Sequence, residues 1–219
     1  MTTQLKLDFV ADISCPWCVV GLLELRQALE RLEPGIGADL QLQPFELNPD
    51  MEPGGRDLGD YLSAKYGTTP EQQTQFRDAV HPRGSALGFD FHPDGRGRIY
   101  NTFNAHRLLS WVGVEHPERQ VPLNMALLAA CHQERQPMDA DDVLLAAVET
   151  AGLDREQAMD ILASDAYANE VRQQEALYIE AGIRSVPTLI VNDRYVLTGA
   201  QPAEVLEQAL RQIASETTA

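Results

Sequence analysis

The chain has 219 residues, 44% hydrophobic and 23% charged, a balance that fits a globular protein with a sizeable core. Its formal net charge of −16 repels phosphate backbones and anionic lipid surfaces, which argues against nucleic-acid or membrane binding as a main activity. Three cysteines are too few for a disulfide scaffold, and two of them share one four-residue motif. No basic stretch followed by a long apolar run opens the sequence, so neither a signal peptide nor a membrane span is expected. The expected compartment is the cytoplasm, where thiols are kept reduced. Residues 215–219 read as a frayed tail.

Residues 5–11 alternate apolar and polar side chains and read as a strand. The period then changes. Leu22, Leu25, Leu29 and Leu32 recur at three- and four-residue steps, on one face of a helix that Pro16 starts and Pro34-Gly35 stops. Residues 40–45 alternate again, so 5–46 read as a β-α-β unit with Cys15 where the strand meets the helix. A turn-rich break covers 48–56. Helices are predicted near 57–66, 70–86, 100–113, 121–134, 140–151, 154–164 and 165–181, with starts at Pro70 and Pro122 and a glycine-rich loop over 82–98. Strand character returns at Pro187–Val191. A turn at 192–194 leads to a hairpin strand, Tyr195–Leu197, and a closing helix follows over 202–213 with Val205, Leu206, Ala209, Leu210 and Ile213 inward. The expected class is α/β. One sheet forms from residues 1–50 and 182–219, interrupted by an all-helical insertion over 51–181, whose last helix, 165–181, leads back into the sheet.

Cys15-Pro16-Trp17-Cys18 has two readings. Half of a zinc site would need a second pair of ligands. Only Cys131 and His132 remain, and adjacent residues on a helix point in different directions, so no metal is expected. The redox reading uses more of the residues. A thiolate is the nucleophile in disulfide exchange, and a helix N-terminus stabilises it. Cys15 sits just before the predicted helix, Pro16 fixes the first turn, and Cys18 lies about one turn in, where the two sulfurs can meet. Cys15 is then an exposed attacking thiol, Cys18 a partly buried resolving thiol, and Trp17 a partly exposed aromatic beside them. Cys131 reads as a small buried hydrophobe.

Four ordered segments carry a family resemblance: Asp12–Cys18, Asn101–Leu108, Ala181–Thr188 and Gly199-Ala200-Gln201. With them the chain resembles the DsbA-type thioredoxin superfamily, and within it the FrnE-like oxidoreductases. The resemblance implies a thioredoxin-like fold with a large helical insertion. It implies a cis Val186–Pro187 bond beside the dithiol, with Val186 contacting substrate and Pro187 shielding the sulfurs. It also implies that the helix bearing Asn101 and His106 lines the cleft; on the residues alone, Asn101 reads as an N-cap and His106 as a polar helical position.

Three functions follow from these readings. The first is thiol–disulfide exchange on a protein or small-molecule substrate through a mixed disulfide at Cys15, with no bound cofactor and with glutathione or a thioredoxin system as redox partner. The second is a glutathione-dependent isomerase or transferase, which the resemblance to kappa-class transferases and 2-hydroxychromene-2-carboxylate isomerases implies; those relatives typically carry Ser at the position of Cys15 and lack the second thiol. The third is a non-catalytic, chaperone-like helical cap. By analogy the insertion would also bury an apolar face against a second copy, as a homodimer.

Overall fold

Alternation in residues 3–11 produces the strand on which everything else is built. The structure is a computed structural model that describes residues 3–217. Strand β1 (Thr3–Ala11) sends Leu5, Leu7 and Phe9 into the main core. On its other face Val10 packs with Phe45, Tyr178 and Ile183. A strand buried on both faces belongs in the middle of a sheet. It pairs in parallel with β2 (Ile36–Pro44) and antiparallel with β5 (Thr188–Val191), and β5 pairs antiparallel with β6 (Tyr195–Thr198). The sheet order is β2-β1-β5-β6, so the two ends of the chain form one sheet.

Helix α1 (Pro16–Leu32) connects β1 to β2 and buries Leu22, Leu25, Ala28 and Leu32. At Gly21 it passes so close to Pro187 that a Cβ would stand 2.8 Å from the proline Cγ, so any side chain there must displace the ring. Helix α9 (Ala203–Thr217) covers the same side with Leu206, Leu210 and Ile213. Val205, expected inward, is 48% exposed, because the buried face steps through Ala203, Leu206 and Leu210 instead. The helix also runs into the segment expected to fray; the last two residues of that segment lie outside the described residues.

Seven helices lie between β2 and β5: α2 (Leu58–Tyr66), α3 (Pro70–Ala86), α4 (Phe103–Glu115), α5 (Pro117–His132), α6 (Asp141–Thr150), α7 (Arg155–Leu162) and α8 (Ala168–Glu180). Their apolar faces join the sheet in one continuous core, with Trp111, Leu108, Leu123 and Leu127 near its centre. Gln120 of α5 fastens the insertion to the edge of the sheet. Its Oε1 accepts from Leu42 N at 2.8 Å, and its Nε2 donates to Leu42 O at 3.0 Å.

Two expectations are corrected. Helix α5 begins at Pro117, so Pro122 lies inside it and does not start it. Helix α3 continues past Pro82 to Ala86, so the loop is shorter than 82–98. That loop ends in β4 (Arg98–Ile99), which pairs with β3 (Arg56–Asp57) in a two-residue ribbon. The ribbon ties the turn-rich 48–56 segment to the stretch just before α4.

Candidate active site

Cys15 is the N-cap of α1, in extended backbone conformation, with Pro16 as the first helical residue. Proline loses nothing there, since a first-turn N–H has no partner in the helix. The backbone of Cys15 donates to Asp12 O at 3.0 Å, closing a turn that carries the chain from β1 into the helix. All three cysteines are free thiols. The Cys15 Sγ faces the Val186 carbonyl at 3.7 Å, and the Val186–Pro187 bond is cis. The residues at 15, 18, 186 and 187, far apart in the chain, therefore meet at one end of the sheet.

The two thiols differ in acidity. A hydrogen bond from the Cys18 thiol is the main influence holding Cys15 below the ordinary cysteine value. Burial opposes it, and the N–H groups of Cys18 and Trp17 add to it. Burial pushes Cys18 well above the ordinary value. A buried thiol one turn inside a helix, holding its proton while its neighbour ionises, is the asymmetry that disulfide exchange requires.

Cys15 is not exposed as the sequence suggested: it is 6% exposed, because the insertion roofs it. It opens instead onto a cavity of about 630 Å³. Leu58 and Leu62 of α2, Phe76 and Val80 of α3, and Phe91 and Ile99 supply an apolar wall. Arg77 and Arg96 line it as well, and among the described residues neither is paired with a carboxylate. Trp17 lies outside that wall. Its ring meets Phe76 edge-on at 6.1 Å and lies under the Arg83 guanidinium at 5.5 Å, so it braces α1 against α3.

Asn101 and His106 are likewise not brought to the cavity wall. Thr102, not Asn101, is the N-cap of α4. The Asn101 side chain accepts from Phe103 N at 2.8 Å and donates to Glu46 and the Pro49 carbonyl at 3.3 Å. His106 is 2% exposed and sits behind the dithiol loop, beside Asp12.

Sequence reasoning missed the groups that grip residues 12–14. The Asp12 carboxylate accepts from Ser14 N (2.9 Å), Ser14 Oγ (2.7 Å), Leu47 N (2.7 Å) and Thr102 Oγ1 (2.9 Å). Arg96 donates to the Ser14 carbonyl. His132 lies 2.9 Å from the Ile13 carbonyl. Burial, helped by the nearby Arg96 charge, drives the His132 pKa down to about 3, so the ring is neutral and donates through Nε2. A histidine that stays neutral when folded but titrates near 6.5 when unfolded stabilises the fold fully above pH 6.5. That contribution falls away as pH drops from about 6.5 toward 3. In denaturant melts across that range, His132→Gln is expected to lose less stability on acidification than the parent.

Among the described residues, no group of three or more His, Cys, Asp or Glu is placed to hold a metal ion, and no helix is long and apolar enough to cross a membrane. The family description "DSBA-like thioredoxin domain" matches residues 6–211. The chain belongs to that family. This DsbA-like protein is similar to the crystal structure of a probable DsbA oxidoreductase from Streptomyces coelicolor, at 31% identity and a TM-score of 0.87, over 95% of this chain and 89% of that one. It is also similar to a putative protein disulfide isomerase from Nitrosomonas europaea, at 19% identity and a TM-score of 0.74, over 97% of this chain and 98% of that one. The cytosolic disulfide reductase DsbM from Pseudomonas aeruginosa, solved with GSH, shares the fold at 17% identity and a TM-score of 0.64, over 94% of this chain and 99% of that one. No curated protein matches the chain. The DsbA-like family is one of thiol–disulfide oxidoreductases, and the expected thioredoxin-like fold with a helical insertion is the one observed.

Proposed function

We propose that this DsbA-like protein exchanges thiols and disulfides through Cys15 and Cys18, in the cytoplasm, as a FrnE-like member of its family. The observation that carries the reading is the acidity difference between two adjacent thiols, of which only Cys15 opens onto the cavity. In the reducing direction the Cys15 thiolate attacks one sulfur of a substrate disulfide. The S–S bond breaks, one substrate thiolate leaves and takes up a proton, and a mixed disulfide remains on Cys15. Cys18 loses its proton, attacks the Cys15 sulfur and releases the second thiol. The resulting Cys15–Cys18 disulfide is reduced again by two external thiols. In the oxidising direction the same bonds form and break in reverse.

Glutathione fits the role of external thiol. Arg77 and Arg96, neither paired with a carboxylate among the described residues, line the cavity as cations for its carboxylates, and the similar DsbM was solved with GSH. The second thiol argues against a glutathione-dependent isomerase or transferase, which needs no resolving sulfur. Val186, whose carbonyl faces Cys15, is the proposed backbone contact for substrate, with Pro187 beside the sulfurs.

The test is site-resolved alkylation of the reduced protein at neutral pH. Cys15 is expected to react at least about tenfold faster than Cys18 or Cys131, as a larger thiolate fraction requires. The Cys131 thiol, raised to about 11 by burial, is expected to be nearly inert in the folded protein. Equal rates at all three would remove the basis of the proposal.

A further inference from the structure

The carboxylate of Asp12 is completely buried, yet it is one of the best-solvated anions the protein could build from its own groups. Four hydrogen bonds reach it, from Ser14 N, Ser14 Oγ, Leu47 N and Thr102 Oγ1. The donors come from three places: the dithiol loop, the segment after β2, and the start of α4. A fifth group, the ring of His106, stands with Nε2 at 3.6 Å from Asp12 Oδ1, a contact too long for a hydrogen bond but short for an ion pair. The His106 side chain is 3% exposed, and its Nε2 has no hydrogen-bond partner. Asp12 is three residues from Cys15, and its carbonyl holds the Cys15 N–H.

We infer that Asp12 and His106 are positioning residues that together set the acidity of the Cys15 thiol: the Asp12 anion shapes the dithiol loop but opposes a thiolate, and the His106 cation offsets that opposition. The inference rests on the proposed dithiol chemistry and assigns neither residue contact with substrate.

Electrostatics give each member a definite sign. An anion beside a thiol disfavours the thiolate, and Asp12 acts in that sense on both Cys15 and Cys18. Burial works against charge on Asp12, but the interactions with His106 and the N–H groups of Ser14 and Leu47 outweigh it and bring the carboxyl to about 2. Burial likewise works against charge on His106, and Asp12, helped by Glu46 and Glu175, outweighs it and raises the imidazole. Each member thus favours the charged form of the other. A further cation, Arg96, donates to the Ser14 carbonyl beside Cys15 and lines the same cavity. Glu46 and Glu175 act on His106, and Arg172 bridges those two glutamates. The Asp12 charge opposes a Cys15 thiolate, so neutralising Asp12 or its partner His106 is expected to move Cys15 in opposite directions.

The test is the pH dependence of Cys15 alkylation in Asp12→Asn, His106→Gln and the double variant. Asp12→Asn is expected to lower the Cys15 pKa and His106→Gln to raise it, each by about half a pH unit or more, with the double variant returning toward the parent. A merely structural role would move both single variants in the same direction, or neither, and either outcome overturns the inference. Asn at position 12 turns one acceptor into a donor and leaves a buried N–H without its acceptor, so that variant can fail to fold. In that case His106→Gln decides alone: an upward move supports the inference, and no move or a downward one overturns it. A Cys15 that is no more reactive than Cys131 in the parent protein would instead be a failure of the dithiol reading, and the two failures are distinguishable.

Discussion

Cys15→Ser is expected to reduce disulfide exchange to the uncatalysed rate, whereas Cys18→Ser is expected to stop after one half-reaction. A serine hydroxyl at the N-cap is geometrically tolerated, since serine is a favoured N-cap residue, so the fold should survive. What is lost is the nucleophile. The hydrogen bond from the Cys18 thiol and the N–H groups of Trp17 and Cys18 stabilise a thiolate at position 15, and a hydroxyl has no comparable anion to offer near neutral pH. Cys18→Ser keeps the nucleophile but removes the second thiol. Attack on a disulfide then yields a mixed disulfide that only an external thiol can resolve. Turnover with a model disulfide, followed by release of free thiol, checks both variants. A burst of one equivalent for Cys18→Ser and no burst for Cys15→Ser is the expected pattern.

Arg107→Ala is expected to cost stability with little direct effect on chemistry. Arg107 lies in the segment whose resemblance to family relatives suggested a cleft-lining helix, but its guanidinium turns away from the cavity. Nε donates to Ala166 O at 2.9 Å, Nη1 to Asn104 Oδ1 at 2.9 Å, and Nη2 to the carbonyls of Ile161 and Ser164. It thus satisfies the exposed end of α7 and the turn into α8, where helix carbonyls have no partners of their own. The residue is 4% exposed, so truncation leaves those carbonyls facing a void instead of water. A loss of about 3 kcal/mol is expected, or roughly 6–12 °C in Tm for a chain of this size. Lysine at this position reaches at most part of the carbonyl set and should recover only a fraction. Exchange per folded molecule should stay close to the parent's. A variant as stable as the parent would show that the staple is dispensable.

These two predictions mark what the sequence made legible and what it did not. The β-α-β start was readable because residues 5–11 alternate while Leu22, Leu25 and Leu32 recur at helical steps, and no tertiary contact is needed to see that change of period. The dithiol was readable because its spacing is local. The ribbon of β3 and β4 was not: two residues per strand carry no period. Pro122 misled for a physical reason, since proline in a helix is favoured at its first position. Here α3 and α5 each begin with an earlier proline at the first position and continue through the second.

The grip on the dithiol loop was hidden for another reason. In the sequence Asp12 stands out only as the first residue of the Asp12–Cys18 segment. Its burial depends on Leu47, Thr102 and His106, none of them within thirty residues of it in the chain. Arg96 and His132 reach the same loop from 82 and 119 residues away. His106 drew attention because histidine titrates near neutrality. Its place behind Asp12, away from the cavity, follows only from how α4 packs on the end of β1. A buried carboxylate near a Cys-x-x-Cys is detectable once the sheet is assembled, and no local pattern announces it.

The most direct test of the dithiol account is to map the adduct formed when reduced Cys18→Ser is mixed with oxidised glutathione and quenched with acid. Peptide mass analysis should find one glutathione per chain, on Cys15, with Cys131 unmodified. An adduct on Cys131 with Cys15 free, or no adduct at all while exchange activity persists, would contradict the assignment of Cys15 as the attacking thiol.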